Sequence, residues 1–338
     1  MSSRRAKKPA RGRGAGRGSS GKDEEDGGAA GAAAAGAGAA AAPAASRTAK
    51  TDRIYAMKTK NGLCQKSLIY YDDDTIEVFG DKGDCIRILS YNVHGFYDRK
   101  GHNTLDEICE ILLVCEADVI VLQEFSLWGK RQLITADAFA KDMRKLGYKH
   151  MHFDRKEENF FLMKTELMSD PSFELVSLGI DPIRKVGRSA IICSGVHNGN
   201  PLTIVGTHLD VFDESGTTRI RQANTILSKL KGKEEERVMI VGDLNSLLRS
   251  DYDTSQWRHI TRLDSERKVT TPERDAPDVF EEADYHDTVM SDDMNPCSVW
   301  ANRRVDYIFA NFKLEKIGYI GRIACSDHHP VWVDMNLD

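Results

Sequence analysis

The stretch Val238-Met239-Ile240-Val241-Gly242-Asp243-Leu244-Asn245 constrains the fold of this chain more than any other. Its run of four apolar, mostly β-branched residues predicts a strand buried on both faces, and such a strand needs a layer of structure on each side. The run stops at Gly242 and delivers a carboxylate and a carboxamide two residues apart. Side chains alternate along an extended chain, so Asp243 and Asn245 are expected to face one site at the strand's carboxyl end. A base beside a neutral hydrogen-bond donor can position a water against a phosphate. A strand end closed by an Asx-turn is the plainer alternative.

The same design recurs along the chain. Strands are expected at Ile86 to Asn92, Asp118 to Glu124 and Leu202 to His208, each ending on a polar group. Two more close the sequence, Arg304 to Phe309 carrying Asp306, and His329 to Val333 preceded by Ser326-Asp327-His328. Apolar residues at helical spacing predict helices from Thr104 to Cys115, from a Thr135 cap to Gly147, and from Thr218 to Leu230. Strand-like runs at Ser67 to Tyr71 and Thr75 to Phe79 predict a hairpin, with Asp72, Asp73 and Asp74 solvating its turn rather than holding a metal. Residues 246–303 are polar and read as irregular, with a short helix around Trp257. Strands and helices alternate early and strands dominate late, as in a mixed α/β body with internal sheets.

Singly, these strand ends say little. A lone Glu after an apolar run is an ordinary solvated end, and a His in Thr-His-Leu is an ordinary core group. Together, Asn92, Glu124, His208, Asp243, Asn245, Asp306, Asp327 and His328 make a set of hard oxygen donors and imidazoles with no Cys among them. Such a set suits Mg²⁺ or Mn²⁺ rather than Zn²⁺.

The motifs Ser90-Tyr91-Asn92-Val93, Gln123-Glu124, Gly206-Thr207-His208-Leu209, Gly242-Asp243-Leu244-Asn245, Arg304-Val305-Asp306-Tyr307-Ile308 and Ser326-Asp327-His328-His329-Pro330 stand in one order. That order resembles the endonuclease/exonuclease/phosphatase superfamily over roughly residues 86–335. The resemblance implies a four-layer α/β sandwich, two mixed β-sheets face to face with helices outside. It implies a Mg²⁺- or Mn²⁺-dependent hydrolase of phosphate esters, with Glu124, Asn92 and Asp327 as metal ligands. Asp243 would then orient or deprotonate the attacking water, and Asn245 would hold a phosphate oxygen. His328 paired with Asp306, and His208, would face the phosphate. The Thr-His-Leu form is similar to that of tyrosyl-DNA phosphodiesterases, deadenylases, sphingomyelinases and deoxyribonucleases. Asp210 and Asp213 add negative charge just past His208. Arg188, Arg219 and Arg303 are candidates to approach a phosphate or to serve surface and helix-start roles. Trp300 is a candidate to stack on a base or to pack in the core.

Charge separates residues 1–50 from the rest. They hold ten Lys or Arg against four Asp or Glu, a net +6, so with −5 on the whole chain the remainder carries −11. They contain no Leu, Ile, Val, Phe, Tyr or Trp. A segment that can bury so little is expected to be a disordered basic and Ala/Gly-rich tail ahead of one domain over 51–338. Its interleaved Arg and Gly favour nucleic acid as the partner, through sequence-independent phosphate attraction. A phosphorylated small molecule, such as an inositol phosphate, or a lipid head group remains the alternative. No window is apolar enough to span a membrane. Seven cysteines without a C-x-x-C pair read as free thiols in a reducing compartment, nucleus or cytoplasm, and the protein is expected to be a monomer.

Overall fold

The computed structural model describes residues 82–126, 131–155, 158–180, 187–288, 298–299, 303–314 and 325–337, together with the backbone of 66–70, 76–80 and 318–320. All of them lie in the unit Ser46–Asp338. The expectations for residues 1–50, for Asp72 to Asp74 and for Trp300 fall outside the described residues.

An antiparallel pair comes first, β1 (Lys66–Tyr70) with β2 (Ile76–Gly80). The following elements are β3 (Ile86–Asn92), α1 (Leu105–Cys115), β4 (Val119–Gln123), α2 (Ala136–Lys145), β5 (Tyr148–Phe153) and β6 (Phe160–Lys164). Next come β7 (Ser169–Ile180), β8 (Gly187–His197), β9 (Asn200–His208), α3 (Thr217–Leu230) and β10 (Arg237–Asp243). The chain closes with α4 (Thr254–Glu266), α5 (Ala276–Glu281), β11 (His286–Asp287), β12 (Asp306–Ala310), β13 (Gly318–Ile320) and β14 (Val331–Met335).

Two six-stranded mixed sheets result, in the orders β13-β14-β3-β4-β6-β5 and β11-β12-β10-β9-β8-β7. Each has one parallel pair near its middle, β3 with β4 and β9 with β10, and each pair is joined through a helix. Period-two alternation then sorts the side chains. Ile88, Val119, Val121, Met239, Val241, Ile308 and Val331 pack between the sheets. Leu89, Ile120 and Leu122 face the other way, onto Ile108 and Leu112 of α1 and Phe139 of α2. Val238, Ile240 and Phe309 face Ala223 and Ile226 of α3 and Phe280 of α5. The fold is a four-layer α/β sandwich, helices outside and two mixed sheets inside.

The polar strand ends follow from the same parity. Asn92, Gln123, His208, Asp243 and Asp306 continue the series of residues that point between the sheets. Two glycines let the strands come close there. A Cβ on Gly242 would sit 1.9 Å from the Thr207 carbonyl oxygen of the neighbouring strand. A Cβ on Gly206 would meet Val121 Cγ1 at 2.8 Å and Phe161 Cδ2 at 3.2 Å, both on the opposite sheet.

Of the polar stretch 246–303, the described residues 246–288 are more regular than their polarity suggests. The helix expected around Trp257 is present but longer, α4 running for 13 residues, and α5 follows it. Asp253 accepts from the backbone N–H of Gln256 while the Gln256 side chain returns to the Asp253 N–H, a complete capping box. Asp275 and Asp278 close a second one on α5. Only Ile260 and Asp264 of α4 are buried, so its sequence carries little apolar periodicity to read.

The close approach at Gly206 is directly testable. Gly206→Val should lower the free energy of unfolding by about 1–3 kcal/mol, the usual cost of overpacking a core. Urea denaturation measures it, and an unchanged midpoint and slope would mean the sheets do not meet at this point.

Candidate active site

Strand register assembles the candidate residues. Parallel pairing of β9 with β10 sets Asp243 beside His208, and antiparallel pairing of β10 with β12 sets it beside Asp306. On the other sheet β3 and β4 end together, Asn92 opposite Gln123, with Glu124 next in the chain. Asn92 Nδ2 reaches across the sandwich and donates to Asp243 Oδ2 at 3.0 Å. Both residues are almost fully buried.

Two imidazoles flank the same carboxylate. His208 Nε2 lies 3.6 Å and His328 Nε2 3.7 Å from Asp243 Oδ2. Their partners make them unlike. His328 Nδ1 donates to Asp306 Oδ2 at 2.9 Å. Burial by itself lowers the pKa of His328, but the charges of Asp306 and Asp243 outweigh it and raise the imidazole to about 10. His328 is therefore a cation at neutral pH. His208 is held neutral, its pKa driven well down by burial and by the charges of Arg188 and His328.

Arg188 also fixes the His208 tautomer. Its Nη1 stands 3.2 Å from His208 Nδ1, and a guanidinium can only donate, so Nδ1 accepts and Nε2 carries the hydrogen. That Nε2 is buried and has no hydrogen-bond partner among the described residues, which leaves an N–H near Asp243 and Glu124. Asp243 is pushed upward to about 7 by burial and by the charge of Asp306, with His328 and the Asn92 hydrogen bond pulling the other way.

Asn245 departs from the simple strand geometry. The strand ends at Asp243, and Asn245 has φ +49°. Its backbone N–H donates to Asp243 Oδ1 at 2.9 Å, which is the Asx-turn given above as the alternative, and its Nδ2 donates to the Leu209 carbonyl at 3.2 Å. Alternation along an extended strand does not relate the two side chains; the turn does.

Glu124, at φ +51°, stands at the rim with its side chain 28% exposed. Among the described residues its carboxylate meets only His208 Nε2 within ion-pair distance, at 3.9 Å, and that imidazole is neutral. A carboxylate that no cationic side chain answers among the described residues is the kind of donor a hard divalent cation takes. Asp327 stands near His94, Oδ1 to Nδ1 at 3.7 Å, and the His94 N–H donates to Asn92 Oδ1 at 3.1 Å. Asp243, Asp306 and His328 also present ligand atoms within 4.8 Å of one another. Within that trio His328 Nδ1 and Asp306 Oδ2 already hold each other at 2.9 Å.

Several contributors were not singled out from the sequence. His94 follows Asn92 by two residues and connects it to Asp327. Ser326 Oγ donates to the Asn92 carbonyl, and Ser298 Oγ accepts from the N–H groups of Val305 and Asp306. Ser298 lies outside the six motifs, and the contacts of both serines show only in the three-dimensional pairing. Of the arginines, Arg188 enters the site, whereas Arg219 binds Asp275 and Arg303 binds Asp264. Asp210 and Asp213 serve backbone: Asp210 accepts from Phe212 and Asp213, and Asp213 from Ser215 and Thr218 at the start of α3.

The model of the Endonuclease/Exonuclease/phosphatase family matches residues 89–328. Tyrosyl-DNA phosphodiesterase 2 of Danio rerio is 22% identical over 161 residues, 47% of this chain but only 41% of that protein. An endonuclease/exonuclease/phosphatase crystal structure from Beutenbergia cavernae superposes with a TM-score of 0.56 at 18% identity, covering 75% of this chain and 72% of that one. D. rerio TDP2 complexed with single strand DNA product gives a TM-score of 0.51 at 18% identity, covering 75% of this chain and all (100%) of that one.

The imidazole assignment has a readout independent of turnover. In ¹H–¹⁵N NMR spectra His328 should titrate near pH 10, not near the ordinary 6.5, and stay protonated at neutrality. Asp306→Asn removes the largest raising influence and should move that titration to lower pH. A wild-type titration near 6.5 would contradict the dyad.

Proposed function

The chain belongs to the Endonuclease/Exonuclease/phosphatase family, enzymes that hydrolyse phosphate esters, and from that premise we propose that it is a Mg²⁺-dependent phosphodiesterase acting on nucleic acid. The observation that carries the proposal is Asp243 itself, a buried carboxylate held between Asn92, a neutral His208 and a charged His328. Asp243 orients the attacking water and takes its proton, and a pKa of about 7 suits a base working near neutrality. The His328 imidazolium, kept charged by Asp306, donates to a phosphate oxygen as negative charge develops on it. His208 offers its unpartnered Nε2–H to the same group. Asn245 offers the N–H that it does not spend on Leu209.

Glu124, with Asn92 and Asp327, would hold the metal. Bound Mg²⁺ or Mn²⁺ supplies positive charge to the phosphate and the leaving oxygen. The basic, glycine-rich sequence of residues 4–17 supports a nucleic-acid substrate, as does the likeness to a protein seen with single strand DNA. No helix among the described residues is long and apolar enough to cross a membrane. Cys85, Cys109, Cys115 and Cys193 are free thiols, which supports a reducing compartment such as nucleus or cytoplasm.

The test assays the full chain with Mg²⁺ against DNA, RNA, 5′-adducted DNA, inositol phosphates and sphingomyelin. Nucleic acid should be cleaved, and EDTA should abolish turnover. Glu124→Gln and Asp243→Asn should each lower kcat by about two orders of magnitude or more without unfolding the protein. Cleavage confined to inositol phosphates or sphingomyelin would replace the substrate class, and near-normal rates in both variants would place the chemistry elsewhere.

A further inference from the structure

A cavity of about 770 Å³ opens beside Asn245. Three segments that leave the candidate active site line it: residues 211–215 after His208, residues 245–247 after Asp243, and Arg303 just ahead of Asp306. Its remaining walls are Thr218 and Arg219 of α3, Asp264 near the end of α4, and Val269, Thr270, Thr271, Pro272 and Asp275 ahead of α5. A group attached to a phosphate at Asp243 therefore has a route into this space. Its size falls within the roughly 300–1,000 Å³ usual for small-molecule sites.

Its walls have an unusual charge balance for a protein that handles phosphates. Among the described lining residues, Asp213, Glu214, Asp264 and Asp275 face two cations, Arg219 and Arg303. Both guanidiniums are already committed. Arg219 Nε donates to Asp275 at 3.0 Å while its Nη1 holds the Asp213 carbonyl at 2.7 Å, and Arg303 is paired with Asp264. Glu214 is exposed at the opening. A second phosphate entering here would meet excess negative charge with no unpaired cation among the described lining residues. The same walls suit an uncharged ring. Val211, 49% exposed, with Phe212, Val269 and Pro272 gives apolar surface, and Thr270 and Thr271 give hydroxyls.

We infer that this cavity seats the group esterified to one side of the scissile phosphate, a nucleoside-sized uncharged group that carries no phosphate of its own. The chain then cleaves at the end of a strand or in a compact single diester, and not in a strand interior. The inference rests on the phosphodiesterase function proposed above and narrows its substrate class.

The experiment uses the full chain with Mg²⁺ and three substrates: a thymidine dinucleotide with one internal phosphodiester, the same with a 5′-terminal phosphate, and the same with a 3′-terminal phosphate. One terminal phosphate should lower kcat/KM by at least about tenfold, the scale of a like-charge juxtaposition, and the other should change it little. Glu214→Arg should shrink that ratio by at least about threefold through charge reversal at the opening. Equal rates on all three dinucleotides, equal penalties from both phosphates, or a ratio that Glu214→Arg leaves unchanged would overturn the inference. Bis(4-nitrophenyl) phosphate in the same buffer separates the failures. If it is hydrolysed and no dinucleotide is, this inference falls while the phosphodiesterase function stands; if none of the four is hydrolysed, both fall.

Discussion

The hydrogen bond from Asn92 Nδ2 to Asp243 Oδ2 ties one sheet to the other at the end where the candidate residues gather. Everything around it depends on two sheets meeting face to face, because Asn92 and Glu124 come from one and His208, Asp243 and Asp306 from the other. A buried carboxylate accepting from an amide, with two imidazoles within 4 Å, is stable only if its charge is answered locally. The sandwich supplies that answer through His328, and it supplies the room through Gly206 and Gly242. Between the sheets the residues behind the cluster are mainly apolar, Ile88, Val119, Val121, Met239, Val241 and Ile308 among them, so the polar cluster sits at the edge of the core and does not interrupt it.

The two histidines show how identical side chains acquire different states from their neighbours. His328 has a carboxylate on Nδ1 and becomes a cation; His208 has a guanidinium on Nδ1 and becomes a neutral donor. The site thus has one charged and one neutral imidazole N–H directed at a single carboxylate, with Glu124 on the open side. Such a division of labour fits a reaction in which a water loses a proton to one group while negative charge grows against others.

Much of this was legible in the sequence because β-structure has a period of two. A run such as Val238 to Val241 announces a doubly buried strand, and parity then places Asp243 with Met239 and Val241 on the inner face. The order of polar strand ends singles out eight residues, and contacts in the structure, for Asp327 through His94, link them. Other features were hidden for physical reasons. Asn245 follows a strand that has already ended, so alternation does not govern it. Helix α4 is set by its Asp253–Gln256 cap and has almost no buried face to produce a periodic signal. The contacts of Arg188 with His208 and of His94 with Asp327 join separate segments, and nothing local in the sequence specifies them.

The central claim is a division within the cluster: Glu124 and its neighbours take the cation, while Asp243, Asp306 and His328 manage protons and phosphate charge. Calorimetric titration of Mn²⁺ into the full chain, Glu124→Gln and Asp306→Asn tests it without any substrate. The expected result is that Glu124→Gln weakens Mn²⁺ binding by more than about tenfold while Asp306→Asn leaves it within a few-fold of wild type. Loss of binding in Asp306→Asn with binding retained in Glu124→Gln would contradict the claim and move the cation to the Asp243, Asp306 and His328 group.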